Sequence, residues 1–273
     1  VAKVFAITNQ KGGVGKTTTS VNLAASLAAA KRRVLMIDID PQGNATMGSG
    51  IDKNIQQWTV YDVLAGDVSI AEAIVYSLSG QFAVLAANSD LTGAEVQLID
   101  ADNRERRLLD AINTVSDTFD YILIDCPPSL NMLTINALTA CTGVIIPMQC
   151  EYYALEGLSS LKETIDTVQA ALNPNLKIEG ILRTMYDPRM SLTSDVSAQL
   201  SSYFGEQLYH TCIPRNVRLA EAPSFGMPIL AFDKQSKGSL AYLALAGEVI
   251  KRCEPERYNQ DFQAMPLLSE RDI

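Results

Sequence analysis

An apolar run at residues 4–8 passes without a break into Asn9-Gln10-Lys11-Gly12-Gly13-Val14-Gly15-Lys16-Thr17-Thr18, and a segment of helical period follows at once. Strand, glycine-rich turn and helix in this order narrow the possible folds more than any other feature of the chain. Glycines let consecutive backbone N–H groups curl around phosphate oxygens, the helix N-terminus adds the positive end of its dipole, and Lys16 supplies a full charge. Thr17, beside that lysine, offers the hydroxyl expected to ligate Mg2+. In an open α/β sheet, ligands sit at the carboxyl ends of the strands. The loop therefore predicts a site and an architecture together.

The rest of the chain repeats this alternation. Strand-length apolar runs lie at 34–38, 121–125, 144–148 and 178–184, and segments of helical period at 17–30, 104–115, 155–172, 196–204 and 240–251. Short continuous apolar strands separated by helices predict an α/β fold of three layers, a mainly parallel sheet with helices on both faces, as in the P-loop NTPases. A composition of 47% hydrophobic and 19% charged residues supplies the core this needs. No Gly/Ser-rich or Pro-rich linker interrupts the pattern, so the expected organisation is one ATPase domain over 1–253. The tail at 254–273 carries Pro255, Pro266 and mixed charge, and reads as a loosely attached terminus. No apolar run approaches the roughly 20 residues that cross a bilayer. With no signal-peptide pattern at the start, the expected compartment is the cytoplasm.

Two further segments place carboxylates at strand ends. In Asp38-Ile39-Asp40-Pro41-Gln42-Gly43-Asn44 the two aspartates share a face if the segment is extended, which aims both toward the glycine loop. A turn or helix cap built from Asp-Pro and Gln-Gly is the plainer alternative. The run at 121–125 closes four apolar residues with Asp125, followed by Cys126-Pro127-Pro128-Ser129. That is the Walker B arrangement, in which the aspartate holds Mg2+, commonly through water. The five cysteines, Cys126, Cys141, Cys150, Cys212 and Cys253, form no CxxC pair and read as buried thiols. His210 is the one histidine. A Ser-His-Asp triad or a histidine metal site would have to depend on it, and its strand-like surroundings favour a structural role.

The loop departs from the usual G-x-x-x-x-G-K-[ST] pattern, because Gln10 stands where the first glycine belongs. With Lys11 near its start, K-G-G-V-G-K-T-T resembles the deviant Walker A motif of the ParA/MinD superfamily. D-x-D-P-Q-G-N and D-C-P-P-S resemble that superfamily's switch I and switch II. Thr211-Cys212-Ile213-Pro214-Arg215-Asn216-Val217-Arg218-Leu219-Ala220-Glu221-Ala222-Pro223-Ser224 resembles the ParA/Soj subgroup throughout. The resemblance implies ATP and Mg2+ as cofactors. It implies a nucleotide gripped by Lys11, Gly12, Gly13, Val14, Gly15, Lys16, Thr17 and Thr18, with Lys11 reaching across a dimer interface to the partner's nucleotide. Lys16 and Asp40 join Lys11 in catalysis, Asp40 by positioning or activating the attacking water. Thr17 and Asp125 hold the metal, with Asp38 supporting it through waters. Pro214 and Asn216 lie at the adenine, where Asn216 could offer both a donor and an acceptor.

A net charge of −9 argues against nucleic acid as a partner, since phosphate contacts require Lys and Arg. Local clustering can override it: Arg183, Arg189, Arg215, Arg218, Lys234 and Lys237 all fall in the C-terminal third, in or near loops. The resemblance assigns Arg189 and Arg218 to nonspecific double-stranded DNA, bound by an ATP-dependent homodimer with no need of base readout. A ParB-type centromere-binding protein is the implied partner and the nucleoid the implied location. A MinD-like protein recruited to membrane needs a basic amphipathic C-terminal helix. Residues 254–273 lack that pattern, so no membrane partner is expected. A metabolic P-loop ligase fits less well, given Lys11 and the D-x-D-P-Q-G-N segment. An ATP-binding DNA scaffold without turnover is disfavoured by Asp40.

Overall fold

Alternation along the inner strands sets the layering. In a computed structural model, which describes residues 1–99 and 102–258, the strands are β1 (Lys3–Ile7), β2 (Val34–Asp38), β3 (Ile74–Ser77), β4 (Phe82–Leu85), β5 (Tyr121–Asp125), β6 (Gly143–Gln149), β7 (Lys177–Tyr186) and β8 (Leu208–Pro214). They form one sheet in the order β3-β4-β2-β5-β1-β6-β7-β8. All neighbours are parallel except β3 and β4. Val4, Ala6, Leu35, Ile37, Ile122 and Ile124 enter one core, while Phe5, Ile7, Val34, Met36, Tyr121 and Leu123 enter the other. Burial on both faces is why these strands read as unbroken apolar runs.

The helices Lys16–Ala29 and Lys237–Cys253 cover the face that receives Phe5 and Ile7. Met132–Ala140 and Ala154–Ala171 help cover the opposite face. In register, Asp125 stands opposite both Ile7 and Asp38, so the carboxyl ends of β1, β2 and β5 meet where the glycine loop leaves the sheet.

The sequence missed β3 and β4. Each has four residues, too short to show a period, and the turn between them holds Gln81 in a left-handed conformation (φ 58°). The helix expected at 196–204 begins at Ser191, and the one expected at 104–115 shrinks to Arg107–Asn113. Cys126, Cys141 and Cys150 are buried as expected. Cys212 and Cys253 are half-buried, because they sit on an edge strand and at a helix end.

Residues 259–273 of the expected tail lie outside the described residues. Its first residue is not loosely attached: Glu254 accepts a hydrogen bond from the Tyr121 hydroxyl and pairs with the buried Arg32. The outer strand β8 is also secured by a side chain. Its pairing with β7 shifts register, and the N–H groups of His210 and Thr211 donate to the Glu248 carboxylate at 2.9 and 3.0 Å. Arg252 donates to the same carboxylate at 2.8 Å. Burial opposes ionisation of Glu248, but these donors outweigh it and lower its pKa.

Glu248→Ala strips two backbone donors of their acceptor, a loss of about 1–3 kcal/mol. The urea midpoint is expected to fall with an unchanged slope, and Glu248→Gln, which keeps an acceptor oxygen, is expected to lose less. A midpoint equal to that of the parent protein would show that the cap contributes nothing.

Candidate nucleotide site and basic face

Two glycines give the loop its shape. Gly13 (φ 73°) and Gly15 (φ 87°) occupy the left-handed region that side chains disfavour. A Cβ added at Gly12 or Gly13 would meet nothing within 4 Å, so the backbone borders open space. Gly15 caps the helix Lys16–Ala29 without any side-chain hydrogen bond, which leaves the first N–H groups of that helix available to an anion. The loop is braced from the strands beside it. Thr184 at the end of β7 donates to the Val14 carbonyl at 2.8 Å, and Asn9 donates to the Pro147 carbonyl at 2.8 Å.

Lys16 is buried, and its Nζ donates to the Lys11 carbonyl at 3.0 Å. Burial lowers its pKa, while Asp125 and Asp40 pull it back up. The Lys11 side chain turns outward, half-exposed, and pairs with Glu151 beyond the end of β6. The two lysines thus face different ways.

Asp125 is fully buried, with Thr17 Oγ1 donating to Oδ2 at 2.9 Å and Ser20 Oγ donating to Oδ1 at 2.6 Å. Desolvation raises its pKa, and the facing Asp38 raises it further. A hydroxyl and a carboxylate beside an open backbone cradle are hard oxygen donors, a set that fits Mg2+ with a bound phosphate. Desolvation also raises the pKa of Asp38, and both of its oxygens are engaged: Asp40 N donates at 3.0 Å, Thr46 N and Oγ1 at 2.8 Å each. The expected pairing of the two aspartates on one face is therefore divided. Asp38 anchors the start of the helix Asn44–Gly48, whereas half-buried Asp40 lies close enough to Lys16 to affect its charge. Asp40 also accepts from Gln42 N at 2.9 Å, so the plainer turn reading holds as well.

A cavity of about 200 Å3 adjoins the loop, lined by Gly15, Thr18, Met185, Pro214, Asn216 and Tyr242 among others. The sequence-derived pair Pro214 and Asn216 is thus brought to the P-loop. Asn216 Oδ1 is already committed, since it accepts from Leu219 N at 3.2 Å and caps the helix Val217–Glu221. One lone pair of that oxygen is thereby used for the cap, while the other and the amide N–H groups are left for a ligand. Met185, in the cavity wall, has a left-handed backbone (φ 47°) that few non-glycine residues adopt.

The basic residues divide too. Arg183 is not near a loop but within β7, where it donates to Ser197 Oγ at 2.7 Å and the Tyr209 carbonyl at 2.8 Å. Arg189 and Arg218 are exposed as a phosphate contact requires, yet each carries a carboxylate of its own. Arg189 Nε and Nη2 donate to the two oxygens of Asp187 at 2.9 and 2.7 Å, hydrogen bonds that hold the Asp187 pKa at about 2. Arg218 pairs with Glu221 at 2.9 Å and Asp233 at 3.4 Å. The sequence reading passed over Ser20, Thr46, Thr184 and Glu151. Ser20 alone carried a signal, its place three residues after Thr17 on the same helix.

Thr184→Val keeps the shape at this position and removes the hydroxyl that holds Val14. Affinity for ATP with magnesium, measured by calorimetry, is expected to fall about tenfold with the fold retained. An affinity within twofold of the parent would exclude Thr184 as a brace of the loop.

Comparison with known proteins places this geometry. A family model described as an AAA domain matches residues 2–178. The chain is 53% identical over 256 residues to the chromosome partitioning protein ParA of Myxococcus xanthus, covering 94% of this chain and 90% of that protein. It is also 53% identical over 249 residues to the sporulation initiation inhibitor protein Soj of Bacillus subtilis, covering 91% and 98%. Among solved structures, cobyrinic acid a,c-diamide synthase from Mycobacterium smegmatis, with a bound ATP analog and magnesium, superposes with a TM-score of 0.81. Its identity is 38%, over 92% of this chain and 96% of that one.

Proposed function

The chain belongs to the ParA/Soj family of partitioning ATPases, and from that premise we propose that it is an ATP-hydrolysing dimeric switch that binds DNA nonspecifically in its ATP state. A ParB-type partner then triggers hydrolysis and release. The observation that carries this reading is the division of the two lysines. Buried Lys16 is directed at its own loop, whereas Lys11 points out of it. A ligase acting within one subunit has no evident use for the second.

The residues divide the work. Lys16 exchanges the Lys11 carbonyl for a phosphate oxygen, and the free N–H groups after Gly15 take others. Thr17 and Asp125, with Asp38 behind them, would hold Mg2+, which would supply neutralising charge at the phosphates. Lys11 leaves Glu151 to reach the nucleotide of a second subunit, and Asp40 orients the attacking water. Asn216 donates to the base. Arg189 and Arg218, doubled by two-fold symmetry, then exchange their carboxylates for DNA phosphates.

Fluorescence anisotropy with random-sequence DNA tests the class. Binding is expected with ATP and not with ADP, and equal binding with either nucleotide would sink the switch. Asp40→Ala is expected to bind ATP normally, hydrolyse it about a hundredfold more slowly and accumulate as a dimer. Lost ATP affinity would contradict the role given to Asp40.

Arg189→Ala is expected to weaken binding to all sequences alike and to reduce the salt slope by about one phosphate contact. Asp187→Asn, which removes the competing carboxylate, is expected to strengthen binding about two- to fivefold. A decrease would show that Asp187 presents Arg189 to DNA and does not compete for it.

A further inference from the structure

The motif that grips the nucleotide ends at Thr18, but the helix that follows contributes one more hydroxyl to the same place. Ser20 is fully buried on Lys16–Ala29, and its Oγ lies 2.6 Å from Asp125 Oδ1 and 3.1 Å from the Lys16 carbonyl. A hydroxyl has one proton to donate. The shorter contact takes it, 2.6 Å to Asp125 against 3.1 Å to the carbonyl. Thr17 occupies the other oxygen of the same carboxylate at 2.9 Å. Among the described residues these are the two hydrogen-bond donors to the Asp125 side chain.

We propose that Ser20 is a positioning residue for the cation site, clamping Asp125 and through it orienting the hydroxyl of Thr17. A carboxylate held at one oxygen can rotate about its χ2 bond, a broad and soft torsion. Held at both oxygens from one helix, it cannot. With Thr17's proton directed at Oδ2, the lone pairs of Thr17 Oγ1 are left unused by the proton and can serve a hard cation beside a phosphate. Ser20 touches neither nucleotide nor cation. It acts through Asp125, as the outer partners of metal ligands do elsewhere, where their removal costs 10–100-fold in metal affinity. A serine that merely packed the helix against β5 would leave the cation requirement unchanged.

This inference rests on the nucleotide reading above, and its test separates the two. Binding of ADP to the full chain is measured by calorimetry across a range of Mg2+ concentrations, and again in EDTA. S20A is expected to bind ADP as the parent does in EDTA, but to need about tenfold more Mg2+ to reach full affinity. S20T, which keeps the hydroxyl, is expected to restore the parent's requirement. S20C, close in volume and a weak donor, is included in case the alanine variant fails to fold, and is expected to behave as S20A should. An unchanged Mg2+ requirement in S20A or S20C overturns the proposal, as does an equal loss of affinity with and without the cation. If the parent protein itself takes up no nucleotide with Mg2+ present, the reading of the site fails first and this inference with it.

Discussion

A carboxylate with no access to water, at the end of β5, is the constraint around which the site is assembled. An ionised group buried in this way is costly unless donors surround it. Asp125 obtains them from Thr17 and Ser20, so the helix Lys16–Ala29 is fixed against β5 as well as against β1, which it follows in the chain. The glycine loop between strand and helix then has little freedom left. Its tight path demands left-handed backbone at Gly13 and Gly15, and that path brings Lys16 back over the Lys11 carbonyl. A second buried carboxylate, Asp38, stands opposite the first across the β2–β5 register and draws Thr46 and the backbone of Asp40 around it. One electrostatic problem, two carboxyl groups in a dry sheet end, thereby organises both the glycine loop and the segment that follows β2.

The same economy links the far side of the cavity to the exposed face. Thr184 holds the phosphate loop, Met185 lines the cavity with a conformation that costs energy, and Asp187 clasps Arg189, all within six consecutive residues. Strain of this kind persists where the surroundings over-determine it, and ligand sites are where it collects.

Charge follows a similar logic at larger scale. An acidic chain meets a polyanion only where its positive groups are exposed and can change partners. Arg189 and Arg218 are exposed, each paired with a carboxylate, whereas Arg183 is consumed by Ser197 and the backbone of β8. Exposed ion pairs contribute little to folding stability. Under the proposed DNA reading, their carboxylates matter more as competitors for phosphate than as supports of the fold.

The sequence by itself determined what local pattern can carry. Apolar strands buried on both faces announced β1, β2, β5, β6 and β7, and the glycine loop announced the tight turn from β1 into the helix Lys16–Ala29, because strand, loop and helix are contiguous and their pattern is written in neighbouring residues. β3 and β4 escaped, being too short to show a period, and so did the extra residues of β7. Only the tertiary structure decided how residues distant in the chain share the work. It joined Ser20 to Asp125, Thr184 to Val14 and Lys11 to Glu151. No spacing rule foretells those partnerships, since each depends on which strands the sheet sets side by side.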